Sequence, residues 1–189
     1  MENEQALRAQ ICAAGLELFR QEGLRFTVQQ AAQAVHVSKK TVYCVYSSKE
    51  ELLLDMIDEA FRKIHVRKQA ILDGPGSLQE KLRAVIIALP EEYTALDLQQ
   101  MNLLDEKYPR LARRVRTHLE TGWEPTLALL EEAMDRNIIR RVSLPVLQRM
   151  ISASIECFLQ DRAMEEQGIH YRQALEEMID ILLEGLLVR

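Results

Sequence analysis

Apolar residues recur at helical spacing along nearly the whole chain, and this pattern restricts the fold more than any other feature. Leu7, Ile11, Ala14 and Leu18 form one stripe, with Phe19 beside it. Leu53, Ile57, Ala60 and Ile64 form a second, and Leu147, Ile151, Ser154 and Phe158 a third. The terminal "YRQALEEMIDILLEGLLVR" is apolar on two sides. Runs of Val, Ile and Thr long enough for strands are few. Aromatic residues make up only 5 % of the 189, with 7 Gly and 5 Pro, so the expectation is an all-α chain.

Capping residues divide these stripes into helices. Gly23 stands where a C′ glycine would end a first helix of about Glu4 to Glu22. Thr27 to Gln30 has the spacing of a capping box and opens the short helix "VQQAAQAV". Ser38 is a second good N-cap and opens "KKTVYCVY". "SSKEE" (47–51) starts a longer fourth helix reaching about Leu72, which "DGPG" (73–76) breaks. From Ser77 onward helix follows helix, with a less regular segment around Glu92–Leu104. The expected division is residues 1–50, a small head of short helices, and residues 51–189, a larger helical body. The DNA-binding role of the first, and the ligand-binding and dimerisation roles of the second, come only with the motif and the resemblance below.

Charge refines this division. The chain carries −5, but residues 1–50 hold six basic against five acidic groups, so the head is +1 and the remainder −6. An acidic body would be repelled by a phosphate backbone. Cys12, Cys44 and Cys157 lack metal spacing, as do His36, His65, His118 and His170, so no metal or cofactor is expected. No nucleophile–base pair, Gly-rich phosphate loop or paired carboxylates on an apolar face point to an enzyme. The polar, acidic N-terminus and the lack of a long apolar run suggest a cytoplasmic protein without a membrane span.

Two short helices joined by about three residues form a helix-turn-helix, whose second helix enters the major groove. The stretch "VHVSKKTVYCVYSSK" (35–49) concentrates the groups such a docking needs. Thr27 and Ser38 offer hydroxyls and helix N-terminal amides to phosphate. Lys39 and Lys40 add positive charge, and Thr41 can meet a base edge or a thymine methyl. Tyr43 and Tyr46 suit sugar-phosphate contact, and Lys49 can reach a flanking phosphate.

Residues Ala14 to Leu53 resemble the signature of tetracycline-repressor (TetR) family transcriptional regulators. The resemblance rests on Leu18-Phe19, Gly23, Thr27, Val37-Ser38, Tyr43, Tyr46, Lys49-Glu50 and Leu52 at fixed spacing. It covers about the first quarter of the chain. His36 replaces the Gly that usually precedes "Val-Ser", and Val45 replaces a His or Tyr. If position 36 needs positive φ, His is tolerated with strain. The family counterpart of Tyr46 is usually a core aromatic, so Tyr46 has two readings, core packing and DNA contact.

The resemblance also implies a three-helix head, a fourth linking helix and a ligand cavity in the body, which Trp123, Tyr93, Met101, Met150 or Phe158 could line. For Trp123, plain core packing is the competing reading. The last two helices carry more apolar surface than one face can hide. The expected assembly is a homodimer in which Leu144–Gln167 and Tyr171–Leu187 of two copies form a four-helix bundle. The function expected is a repressor that binds a palindromic site on double-stranded DNA and is released by a small, largely apolar effector. The alternative is an all-helical adapter without an inducer. That would explain the bundle but not the Thr, Ser, Lys and Tyr spacing.

Overall fold

The computed structural model describes residues 2–88, 107–160, 164 and 166–187. Among them the regular elements are α1 (Glu2–Glu22), a 3-10 turn (Gly23–Arg25), α2 (Val28–Ala34), α3 (Lys39–Val45), α4 (Lys49–Asp73), α5 (Leu78–Ile86), α6 (Pro109–Glu120), α7 (Glu124–Asp135), α8 (Leu144–Gln160) and α9 (Tyr171–Leu186). The β structure among the described residues is one isolated bridge, Ile139 with Leu187, so the chain is all-α.

The caps lie where the sequence puts them. Gly23 ends α1 at φ +60°, a conformation that costs glycine little. Thr27 and Gln30 form a reciprocal capping box, and Ser77 and Glu80 repeat it at α5. The Ser38 hydroxyl accepts from the Thr41 amide at the start of α3. Ser48 accepts from the Glu51 amide at the start of α4.

The chain divides into two compact units. Of the described residues, the head unit holds 2–62 and 107–115, so it extends past residue 50 and takes in part of α6. Its interior is formed by Ile11, Phe26, Ala31, Ala32, Val42, Tyr46 and Leu52, joined by Leu111 from α6. Arg110 ties α6 to Glu50 and Glu51, and Arg114 grips Asp58 through two bonds of 2.6 Å. The body unit packs Leu82 and Val85 of α5 with Trp123, Leu130 and Ala133, then with Ile139, Ile151 and Ile179. Its last helix is fastened by the Arg140 amide, which donates to the Leu186 carbonyl at 2.7 Å. No helix among the described residues is long and apolar enough to cross a membrane.

Candidate nucleic-acid interface

The interface is built on α2, α3 and the turn between them. Val37 N–H donates to the Ala32 carbonyl at 2.9 Å and His36 N–H to Gln33 at 3.1 Å, which turns the chain sharply after α2. His36 sits at φ +56° in that turn. The strain expected of a non-glycine residue there is therefore present, eased by the fact that His tolerates this region better than most.

Helix α3 is only two turns long, and its two faces differ. Val42 is fully buried, whereas Ser38, Lys39, Lys40, Tyr43 and Cys44 are exposed. Tyr43 keeps 44 % of its surface open, and the Lys39 ammonium lies 5.9 Å from its ring centre. No acidic side chain occurs within α3. The exposed face thus offers two cations, a phenol and the Ser38 hydroxyl together. Thr41 is half-buried, with its hydroxyl 2.7 Å from that of Ser38. Thr27 is exposed, and its hydroxyl donates to Gln30 Oε1 at 2.9 Å.

Two residues named as DNA contacts turn inward: for Tyr46 the core reading holds over DNA contact, and for Lys49 the expected phosphate contact is corrected. Tyr46 is 2 % exposed and belongs to the head core. Its hydroxyl donates to the Asp55 carboxylate and is placed 3.1 Å from the Arg8 carbonyl. The Arg8 guanidinium stacks 4.6 Å above its ring and donates to Asp55 at 3.0 Å. Burial first, then the bond to Asp55, pushes the phenol far above its ordinary titration range. Lys49 is also turned inward. Its ammonium donates to the Leu24 carbonyl at 2.6 Å and to the Phe26 carbonyl, and it lies 4.4 Å from the Phe26 ring centre. Burial, then the nearby charge of Lys107, lowers its proton affinity. Lys49 closes the turn between α1 and α2 rather than reaching outward.

In the body, Trp123 is 7 % exposed and packs in the core, with its indole N–H donating to the Leu119 carbonyl at 2.8 Å. Met150 is 52 % exposed on α8, so it faces away from the interior of this chain rather than lining a cavity in it. Phe158 is half-buried, and Tyr93 and Met101 lie outside the described residues. Sequence reasoning missed the Arg8–Tyr46–Asp55 network, whose members are separated by up to 47 residues. It also missed Lys68, a half-buried cation above the Trp123 ring. The one signal for Lys68 was its position one turn after His65 on α4.

Residues 11–56 match the family described as bacterial regulatory proteins, tetR family. An uncharacterized HTH-type transcriptional regulator, YvaF of Bacillus subtilis (strain 168), is 24 % identical over 177 residues, which is 93 % of each chain. Among solved structures, the fatty acid degradation regulator FadR from Bacillus halodurans superposes with a TM-score of 0.68 at 17 % identity, over 93 % of this chain and 94 % of that one. FadR from Bacillus subtilis, in complex with stearoyl-CoA, superposes with a TM-score of 0.64 at 19 % identity, over 94 % of this chain and 98 % of that one.

Proposed function

We propose, from the premise that the chain belongs to the tetR family of bacterial transcriptional regulators, that it is a repressor acting as a homodimer on a palindromic operator. A small, largely apolar molecule releases it. The carrying observation is the outward face of α3, where Lys39, Lys40 and Tyr43 stand together with no carboxylate in the helix. Backbone groups at the α3 N-terminus and the two ammonium groups hold phosphates, while Thr41 and Tyr43 supply contacts nearer the bases. In a two-fold dimer the paired α3 helices reach half-sites about 34–36 Å apart, or a multiple of that.

Dimerisation is supported by apolar surface that one chain leaves open. Val146 and Met150 on α8 and Ile181 on α9 are each more than half exposed. Cys157, also exposed, extends the α8 stripe at helical spacing. The same two helices of a second copy, arranged as a four-helix bundle, would cover it. The apolar character of the effector is supported by the stearoyl-CoA complex of the Bacillus subtilis FadR. Such a ligand acts only through unequal affinity for DNA-competent and DNA-released states, typically worth about 1–3 kcal/mol.

A gel-shift titration at fixed salt tests the reading. Operator fragments come from genomic DNA retained by the purified protein. Lys40→Ala and Tyr43→Ala should each weaken binding while the dimer persists in sedimentation. Removing one phosphate-contacting lysine should also reduce the slope of log affinity against log salt by about one. Wild-type affinity for both variants, or a salt-independent affinity, would remove α3 from the interface.

A further inference from the structure

Three lysines of the described chain are partly buried without a carboxylate, and two of them end on oxygen. Lys49 donates to the carbonyls of Leu24 and Phe26, and Lys81 donates to the Leu72 carbonyl at 2.7 Å. Lys68 differs. Among the described residues its ammonium meets only the face of Trp123, 5.3 Å from the ring centre. A half-buried cation loses hydration that a ring face restores only in part, and burial accordingly lowers its proton affinity.

The surroundings of Lys68 are built rather than incidental. His65 lies one turn earlier on α4, on the same helical face. Gly122 holds φ +70°, and a Cβ there would collide with the His65 ring, so glycine brings the backbone against the imidazole. Burial, then the charges of Lys68 and His118, hold His65 below its ordinary pKa, while Glu124 acts in the opposite sense. Trp123 is the N-cap of α7, and Thr126, Leu130 and Ala133 are buried within that helix. Thr126 is fully buried, and its hydroxyl has no hydrogen-bond partner among the described residues. A buried hydroxyl left without a partner has given up its bonds to water with no return. Among the described residues the body therefore holds a cation on an indole face without an anion and, three residues after that indole in sequence, a buried hydroxyl without a partner.

We infer that Lys68 and His65 receive the oxyanion head of an amphipathic ligand and that Thr126 hydrogen-bonds a polar atom further along the same molecule. The inference rests on the reading above that an apolar molecule is the effector, and it adds the chemistry of the head. The oxyanion is a carboxylate or a phosphate, as in a free long-chain fatty acid or its coenzyme A thioester. In either case the Lys68 ammonium exchanges a ring contact for a charge-assisted hydrogen bond.

Trp123 is the chain's single tryptophan, so its fluorescence reports on this site directly. The full-length protein is titrated, below micelle concentrations, with stearate, stearoyl-CoA, coenzyme A alone and stearyl alcohol. At least one long-chain anion should change the emission saturably and bind at least about tenfold more tightly than the alcohol. Lys68→Gln should weaken that anion by about tenfold to a hundredfold, Lys68→Arg should retain most of the affinity, and Thr126→Val should weaken it by about twofold to tenfold. Stearate alone assigns the head to a carboxylate. Stearoyl-CoA alone, with coenzyme A weak, assigns it to the phosphates. Either result supports the site.

The inference is overturned if the alcohol binds as tightly as the anions, or if no ligand perturbs Trp123. It is also overturned if a well-folded K68Q binds as the parent does. The comparison of anion with alcohol in the unmodified protein stands even if a variant fails to fold. Gel shifts run in parallel separate the two readings. Anions that bind through Lys68 yet leave the operator complex intact remove the effector reading and keep the site. Release by the alcohol, unaffected by K68Q, does the reverse.

Discussion

The head and the body treat their buried polar groups differently. In the head, the Tyr46 hydroxyl, the Asp55 carboxylate and the Arg8 guanidinium form one closed network, and the Lys49 ammonium caps two carbonyls. What α3 leaves outside is polar and basic, namely Lys39, Lys40 and the phenol of Tyr43. In the body, among the described residues, Thr126 is buried without a partner and Lys68 meets only an aromatic face, while Val146, Met150 and Ile181 stand in the open. The head satisfies its interior and presents charge, whereas the body leaves an interior polar group and an exterior apolar surface uncompensated. The lesson is that a unit whose polar groups are satisfied from within is built to hold one shape, and a unit that is not satisfied is built to receive something.

The largest test of that contrast sets two tyrosines of the head against each other. Tyr46→Ala should cost about 3–5 kcal/mol, since it empties a buried aromatic site and removes the phenol's bond to Asp55. Tyr43→Ala should stay within about 0.5 kcal/mol in the same urea denaturation. Similar losses for both would mean that the head core is not closed around Tyr46. Next comes the body's orphan hydroxyl. Thr126→Val keeps the shape and removes the unmet group, so without ligand it should raise stability by about 1–3 kcal/mol. A thermal scan showing a loss instead would mean that the hydroxyl already has an acceptor.

A smaller effect is expected in the turn before α3. His36→Gly relieves positive φ at the cost of a freer unfolded chain, for a net gain of about 0.5–1 kcal/mol. An unchanged or lower midpoint would show that His36 is held by contacts that offset its strain. The smallest effect is a pH dependence from the body. His65 takes a proton less readily when folded than its ordinary value of 6.5 implies. Between the folded value and 6.5 the unfolded chain binds more protons, so this group makes stability rise with pH through that window and adds no slope above it. His65→Gln should flatten the slope below 6.5. Chemical denaturation at several pH values would reveal an unchanged slope if other groups carry it.

What could be read from the sequence was mostly local. Thr27 with Gln30, Ser38 with Thr41, and Ser77 with Glu80 are contacts three residues apart, so spacing alone specifies them. The positive φ at residue 36 was legible because a glycine is usual in that turn and His stands there instead. Lys39, Lys40 and Tyr43 were legible as a DNA-facing group because the helix-turn-helix spacing and the family signature place them on the groove-entering helix. For Tyr46 the resemblance already offered core packing beside DNA contact, and the bonds to Asp55 and Arg8, which neighbour it only after the chain folds back, decide for the core. Lys49 misled for the same reason: a lysine at a helix start reads as exposed until two carbonyls from residues 24 and 26 arrive beside it.

By itself, then, the sequence determined the all-helical architecture, the helix boundaries and the kind of head that begins the chain. These follow from periodicity and from capping bonds that close within a single turn. Tertiary structure alone decided between the two readings of Tyr46 and of Trp123, and put a cation over the Trp123 ring and, among the described residues, left the Thr126 hydroxyl unmet. Those outcomes depend on groups dozens of residues apart competing for the same buried space, and no spacing rule along the chain encodes who wins.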